Sequence, residues 1–326
     1  MASSGSLLDA PWRLATVTVP LERSRRPNLL APPINLNLTI DSYPAVDGST
    51  STHPLGMLIA CELLGLPYKW DAHPHDGTTR IYPNPKTAAE EAVAKKLTDE
   101  IVVHNGTHGS YVNVIEKKAA LALVARLPSQ DELDEAKKQG VTLETRAVAM
   151  DAFVFILNKQ NAIDSLTTKQ IQEIYTGKTT RWDQVGGPAN DIHPYQRNAT
   201  SGSQVLMETL VMKDLTMVDA PDMILMGMMG PINIISDDPL GIGYSVYFFE
   251  QFMAPNEKLK LVGVDGIVPD FKTIQSRTYP FATEVYAVIR ADLDPQSEAY
   301  RMRDWLFTAE GQATVKKSGY VPMAGI

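Results

Sequence analysis

The chain has 326 residues, with 30 Lys plus Arg against 38 Asp plus Glu, and a formal net charge of −8. This length predicts two domains, and the acidic balance excludes a protein that binds nucleic acid through a basic surface. Acidity alone also predicts weak affinity for anions. No apolar run approaches the roughly 18 residues of a membrane span. The single cysteine, Cys61, excludes an internal disulfide and a multi-cysteine metal site.

The N-terminal segment carries no recognisable secretory signal, because a basic region followed by an apolar stretch is absent from MASSGSLLDAPW. A cytoplasmic protein and an exported protein whose signal has been removed both fit this start. Several prolines at 20–35 predict an extended lead-in over residues 1–35 rather than a packed element.

Strand-like and helix-like segments alternate along the rest of the chain, which predicts an α/β fold with mostly parallel sheets. The predicted helices cover about 54–64, 87–99, 107–118, 130–139, 166–175, 203–212, 297–307 and 310–317. Extended or strand-like runs cover about 35–40, 119–125, 141–150, 153–157, 241–249 and 285–289. The runs 141–150 and 153–157 are predicted as two strands joined around Asp151. The Met-rich run 223–229 is predicted to fill the core rather than to bind a metal.

Three predicted helices begin after turns rich in glycine and hydroxyl groups: the first turn (49–52), the second turn (105–110) and the third turn (197–203). A helix start offers free backbone N–H groups and the positive end of the helix dipole, which together favour an anion. Simple helix capping explains any one of these turns equally well. Three such turns, one of them carrying the Arg197 guanidinium, predict a site for a small tetrahedral oxyanion.

Patterns for other chemistries are incomplete. Gly177-Lys178-Thr179 lacks the earlier glycine of a phosphate-binding loop. The histidines around 73–75 and at 104 and 108 have no further ligand cluster, so we expect loop residues rather than metal ligands. Cys61 lies in an apolar helical pattern, which predicts a buried and inert thiol. We therefore expect no catalytic residue, no metal and no cofactor.

Four stretches carry a resemblance to a known family. They are DGSTSTHPLG at 47–56, AVAMDAFVFILNKQNAIDSLTTKQIQEIYTGKTTRWDQVGG at 147–187, YQRNATSGSQ at 195–204, and GIGYSV at 241–246 together with the ending GQATVKKSGYVP. In order and spacing they span roughly residues 40–325. The chain resembles the phosphate-binding subunit of bacterial ABC importers, within the type 2 periplasmic-binding-protein superfamily.

The resemblance implies two α/β lobes that are joined by two crossings and close like a hinge over one ligand. Lobe 1 would combine 36–148 with 268–326, and lobe 2 would be 149–267. Matching the family's loops residue by residue implies that the anion is bound by Thr50, Ser51, Thr52, Thr107, Arg197, Ser201, Gly202 and Ser203. Ser203 stands where threonine is common in the family.

One position departs from the family pattern. Phosphate importers usually carry an Asp just before a proline, where it accepts the proton of monohydrogen phosphate. Here Arg126, two residues before Pro128, takes that place if Pro128 corresponds to the family's proline. An inward Arg126 would be an additional ligand residue and would favour a fully ionised or larger anion, whereas an outward Arg126 would leave the proton without its acceptor. Asp47 or Asp151 are candidates to replace that acceptor.

The function implied by the resemblance is a monomeric, non-enzymatic solute-binding protein for phosphate or a related oxyanion. Its partner would be a membrane ABC permease, and its location would be the periplasm or the outer cell surface, the signal having been removed from the chain. An anion-responsive sensor or scaffold of the same fold is the alternative. A phosphatase-like enzyme is disfavoured, because the sequence shows no pairing of a nucleophile with a base.

Overall fold

The computed structural model of the protein describes residues 34–323, so the predicted lead-in over 1–35 lies almost wholly outside the described residues. The strands are β1 (Val46–Gly48), β2 (Tyr68–Ala72), β3 (Thr79–Pro83), β4 (Leu121–Val124), β5 (Leu143–Asn158), β6 (Ser165–Leu166), β7 (His193–Pro194), β8 (Gln196–Arg197), β9 (Ile224–Leu225), β10 (Gly241–Val246), β11 (Leu259–Leu261), β12 (Gly263–Val264), β13 (Ala282–Arg290) and β14 (Val321–Pro322). The α-helices are α1 (His53–Leu63), α2 (Ala88–Lys96), α3 (Gly106–Ile115), α4 (Gln130–Lys138), α5 (Thr168–Tyr175), α6 (Gly202–Leu206), α7 (Met229–Asp237), α8 (Phe271–Gln275), α9 (Glu298–Trp305) and α10 (Ala309–Lys317). Three π-helical segments (Leu97–Ile101, Met207–Met212, Phe249–Met253) and two 3₁₀ segments (Trp182–Val185, Pro221–Met223) complete the helical structure of the described residues.

In the described part of the chain the main sheet has eight strands, with β1, β4, β13, β5, β10 and β7 side by side and with β11 and β14 also paired to β5. Only the pairs β1–β4 and β10–β7 are parallel, and the other pairs in this sheet are antiparallel. The α/β class is confirmed, but the prediction of mostly parallel sheets is wrong. Antiparallel pairing arises because β13 returns from the C-terminal part of the chain and lies between β4 and β5.

β5 is one continuous strand of 16 residues, where the sequence predicts two. Its first part, up to Ala152, pairs with β13, and its last part, from Phe153, pairs with β10 and β11. Asp151 does not interrupt the strand, because its Oδ1 accepts hydrogen bonds from the backbone N–H groups of Ala152 (2.8 Å) and Phe248 (3.0 Å). β5 therefore joins two groups of strands close to the predicted lobe boundary, and the lobe ranges themselves stay a prediction.

Helix starts follow the capping chemistry of the sequence. The Thr87 and Thr167 hydroxyls accept hydrogen bonds from backbone N–H groups three residues later, and Glu90 and Gln170 complete two capping boxes.

Cys61 is fully buried in α1, and burial raises the pKa of its thiol to about 12. A thiol with a raised pKa is unreactive, as predicted for a core cysteine.

The Met-rich run 223–229 differs from its prediction. Met226 is 71% exposed, and Met228 and Met229 are only partly buried. The run does not fill the core as predicted, because it spans β9 and the connection to α7 near the surface, and only Met228 and Met229 pack against the margin of the core. Within residues 34–323, no helix has the length and apolar character needed to cross a membrane.

Candidate functional site

The first turn joins β1 to α1 and is tied to the second turn by a direct contact between hydroxyl groups. Ser49 Oγ lies 2.7 Å from Thr107 Oγ1 and also accepts a hydrogen bond from the Ala125 backbone N–H at 3.2 Å. The Ser49 backbone N–H donates to the Leu123 carbonyl at 3.0 Å. β1 and β4 are neighbouring parallel strands, so these bonds fix the start of α1 at the edge of the sheet.

Within the first turn, Thr52 and its neighbours have different roles. The Thr52 hydroxyl contacts the Leu123 carbonyl (2.5 Å) and the Ser49 carbonyl (3.0 Å), and its backbone N–H also donates to Ser49. Both donors of Thr52 are thus used within the protein, which argues against its predicted role as a ligand residue. The hydroxyls and backbone N–H groups of Thr50 and Ser51 have no hydrogen-bond acceptor among residues 34–323, so both stay candidates.

The Asp47 carboxylate holds the second turn in place through hydrogen bonds. Its carboxylate accepts hydrogen bonds from the Asn105 backbone N–H (2.9 Å), the Asn105 side chain (2.8 Å), the Asn113 side chain (2.6 Å) and the Ser110 hydroxyl (3.1 Å). The Gly48 backbone N–H adds a further bond at 2.7 Å. Because both carboxylate oxygens are occupied, Asp47 is a structural residue that positions the start of α3, and it is a poor replacement for the missing proton acceptor.

The third turn begins at Arg197, which is 5% exposed. Its backbone N–H donates to Gln204 Oε1 (3.1 Å) and to the Tyr244 hydroxyl (3.0 Å), and its Nε donates to the Leu225 carbonyl (3.1 Å). No carboxylate within residues 34–323 forms an ion pair with it. Burial lowers the pKa of the Arg197 guanidinium, and only the nearby Tyr244 opposes that effect. This cation is therefore buried with neutral partners alone.

The rest of the third turn meets the second turn. Ser201 caps α6, since its Oγ accepts a hydrogen bond from the Gln204 backbone N–H at 3.0 Å. A Cβ atom at Gly202 would lie 2.7 Å from Thr107 Oγ1, so only glycine allows this approach. Ser203 is buried at the first turn of α6. Thr107 thus touches Ser49 on one side and Gly202 on the other, and the three predicted turns converge there.

Arg126 is buried (4% exposed) and its guanidinium is engaged within the fold. Its two terminal nitrogens form hydrogen bonds to the two carboxylate oxygens of Glu132, at 2.8 and 2.7 Å. Burial raises the pKa of the Glu132 carboxyl, but the bonds from Arg126 outweigh burial, and the resulting pKa is below the usual range. The His108 ring also lies 3.1 Å from Glu132. The Arg126 charge is thus neutralised by Glu132, and its buried Nε has no partner among the described residues.

Asp151 is the other candidate acceptor, and it lies where β5 changes partners. Its Oδ2 is buried and accepts no hydrogen bond within residues 34–323. Burial raises the pKa of this carboxyl to about 7, although the Phe248 and Ala152 N–H groups oppose the shift. The Phe248 ring stacks on Tyr320 (3.8 Å between centroids), and the Tyr320 hydroxyl donates to the Ser51 carbonyl at 2.9 Å. One packed chain of contacts therefore links Asp151 to the first turn.

Sequence reasoning missed several residues that shape this region, chiefly Glu132, Tyr244, Tyr320 and Met228. Glu132 had a readable signal, because Ser129-x-x-Glu132 is a capping box that places its carboxylate at the start of α4. Tyr244 and Tyr320 had no such signal, since they come near the turns only because β10 and β14 pair with β5, far away along the chain. Histidines and acidic residues within 34–323 form no group of three that could hold a metal ion.

Comparisons with known proteins place this geometry in a family. Residues 77–306 match the profile of the PBP superfamily domain. Protein SphX of Synechococcus elongatus is 22% identical over 265 residues, which cover 76% of either chain. The phosphate-binding protein PstS of Borreliella burgdorferi is 24% identical over 235 residues, 69% of this chain and 81% of the relative.

A similar solved structure supports the same fold. It is described as a phosphate ABC transporter substrate-binding protein from Clostridium perfringens with bound phosphate, and it matches with a TM-score of 0.61 and 21% identity over 86% of this chain and 99% of its own. The superfamily profile spans well over half of the present chain, and the mixed sheet flanked by helices agrees with the matched architecture. The chain therefore belongs to the PBP superfamily and has the type 2 periplasmic-binding-protein fold.

Proposed function

We propose that the protein is a solute-binding protein that captures phosphate, or a related tetrahedral oxyanion, for an ABC importer. The observation that carries the proposal is Arg197, a buried guanidinium with no carboxylate partner within residues 34–323, next to the point where three helix starts converge. The names of the relatives, PstS and a phosphate ABC transporter substrate-binding protein, support the same ligand class and role.

The physical argument rests on compensation of a buried charge. Removing a guanidinium from water is costly unless an anion or a set of acceptors compensates it. An oxyanion beside Arg197 would supply that compensation and would also accept hydrogen bonds from the neutral donors of Thr50, Ser51, Thr107, Gly202 and Ser203. Hydrogen bonds that involve a charged group contribute about 1.5–3 kcal/mol each, so several of them suffice for tight binding.

The proposed ligand cycle uses the division into lobes at 36–148 plus 268–326 and at 149–267. β5 contains one of the two proposed crossings, and closure would hold the third turn against the first two around the anion, in the arrangement that brings Gly202 close to Thr107. In this role the protein acts as a monomer outside the cytoplasm, passes its ligand to a membrane permease, and performs no catalysis. The alternative is a sensor or scaffold that binds the same anion at the same site. The gene for such a protein would lie apart from the genes of a permease.

Isothermal titration calorimetry tests the proposal with phosphate, sulfate, arsenate and molybdate as ligands. We expect phosphate to bind, and Arg197→Ala to weaken binding by about ten- to a hundredfold, because an ionic hydrogen-bond donor is lost from a buried position. The matched control is Arg181→Ala, since Arg181 lies on the surface and pairs with Asp183. Unchanged affinity in Arg197→Ala would refute the site, and no binding of any of the four anions would refute the function.

A further inference from the structure

The loop that follows β9 is attached to Arg197. β9 pairs in parallel with β8, so that Leu225 lies opposite Arg197 and its carbonyl accepts the hydrogen bond from Arg197 Nε. The chain then turns at Gly227, which has a φ of +66°, and α7 begins at Met229. Met228 is thereby held at the end of the guanidinium.

The Met228 sulfur contacts two of the donors assigned to the anion. Met228 Sδ lies 3.5 Å from Arg197 Nη1 and 3.7 Å from Ser203 Oγ. A thioether sulfur is a weak hydrogen-bond acceptor, and a serine hydroxyl carries a single proton to donate. Ser203 therefore cannot donate to Met228 and to an anion oxygen at the same time.

We propose that Met228 is a specificity-determining residue that competes with the anion for Arg197 and Ser203, and that an anion oxygen displaces its sulfur on binding. This inference rests on the proposed function. Hydrogen bonds to an ionised acceptor are roughly twice as strong as neutral ones. An oxyanion therefore gains much by replacing the sulfur, whereas a neutral acceptor gains little. Met228 thus favours strongly charged oxyanions over neutral polar solutes.

The loop is suited to such a displacement. Methionine has an unbranched side chain with three rotatable bonds, so its sulfur can move without a shift of the backbone. Met228 packs against the margin of the core but is only partly buried, and its neighbour Met226 is 71% exposed, so the loop is open to solvent on one side.

Phosphate titration calorimetry on Met228→Ala and Met228→Leu, with Met226→Ala as the matched control, tests the inference. We expect Met228→Ala to bind phosphate about three- to tenfold more tightly than the wild type, because no hydrogen bond to sulfur has to be given up. Met228→Leu removes the sulfur but keeps the bulk, so its affinity should lie between the two. Met226→Ala should match the wild type, and melting temperatures establish that each variant is folded.

Unchanged or weaker phosphate binding in a folded Met228→Ala variant would overturn the inference while the proposed function stands. A wild-type protein that binds none of the tested oxyanions would overturn the proposed function, and the inference with it.

Methyl NMR of ¹³C-methyl-methionine protein gives an independent readout. The Met228 resonance is the one that is missing in Met228→Leu, and we expect it to shift on saturation with phosphate while the Met226 resonance stays in place. A Met228 resonance that does not move at saturating phosphate would contradict displacement of the sulfur.

Discussion

Two buried arginines in this chain differ in what surrounds their charge. Arg126 shares two hydrogen bonds with Glu132, so it has its counter-ion within the fold. Within residues 34–323, Arg197 has neutral partners only, namely the Leu225 carbonyl and the Met228 sulfur around its guanidinium. The second arrangement leaves a cation that an external anion can neutralise. Arg197 is thus suited to bind a ligand, and Arg126 is suited to hold α4 against the strand that precedes it.

At the same scale, Asp151 should make the stability of the protein depend on pH. Its carboxyl has a folded-state pKa of about 7, above the ordinary 3.8, because burial disfavours the charge. Its contribution to stability is therefore fully present below about pH 4 and is lost as the pH rises through 7. Asp151→Asn keeps an oxygen for the Phe248 and Ala152 N–H groups and removes the titration. We expect it to raise the free energy of unfolding at pH 8 by on the order of 4 kcal/mol at most.

Urea unfolding of the wild type and Asp151→Asn between pH 4 and pH 8 provides the measurement. The two stability curves should converge near pH 4 and separate towards pH 8. Asp71→Asn is the control, because Asp71 is an exposed residue whose pKa is lowered by a hydrogen bond from Lys69, outside the titration window. Parallel curves for the wild type and Asp151→Asn would show that Asp151 does not titrate in this range.

At the scale of elements, the proposed site combines three helix starts with one charged side chain, Arg197. The starts of α1 and α3 meet through Ser49 and Thr107, and the start of α6 meets α3 through Gly202. Such an arrangement presents backbone N–H groups and the positive ends of helix dipoles without adding formal charge.

Gly202→Ala tests whether the close approach of α6 to α3 matters for binding. A methyl group at this position would lie 2.7 Å from Thr107 Oγ1, so α6 would have to move away from the second turn. We expect phosphate affinity, measured by calorimetry, to fall by about tenfold or more, with a small change in melting temperature. Gly56→Ala is the control, since its added methyl meets ordinary packing contacts at 3.5 Å or more in α1. Wild-type affinity in Gly202→Ala would show that the α3–α6 contact is not part of the site.

Helix starts and the anion motif were predictable because they depend on local chemistry. The caps at Thr87 and Thr167 and the turn at 197–203 are readable from neighbouring residues. The continuity of β5 through Asp151 was not predictable from the sequence. An isolated Asp suggests a break in the strand, but here its carboxylate accepts a hydrogen bond from the N–H group of Phe248, 97 residues away. The roles of Thr52 and Met228 also depend on distant partners, the Leu123 carbonyl and Arg197, which no local pattern reveals.

For the whole molecule, a net charge of −8 is compatible with an anion site. Net charge describes the surface as a whole, whereas anion capture depends on the local field at a few helix starts and one guanidinium. The mixed sheet explains how distant segments supply that field. β5 reaches from the strand group of β4 and β13 to that of β10 and β11. The first turn follows β1, which pairs with β4, and the third turn comes shortly after β7, which pairs with β10, so one strand joins the groups that carry them.

The location of the bound anion is the central claim, and a crystal structure of the arsenate complex tests it most directly. Arsenate is a tetrahedral oxyanion like phosphate, and anomalous scattering at the arsenic edge distinguishes it from the atoms of protein and solvent. We predict one dominant arsenic peak, with its oxygens within hydrogen-bond distance of the Arg197 guanidinium, the Ser203 hydroxyl and the N–H groups of the first turn. A dominant peak elsewhere, or none in crystals grown with saturating arsenate, would contradict the account.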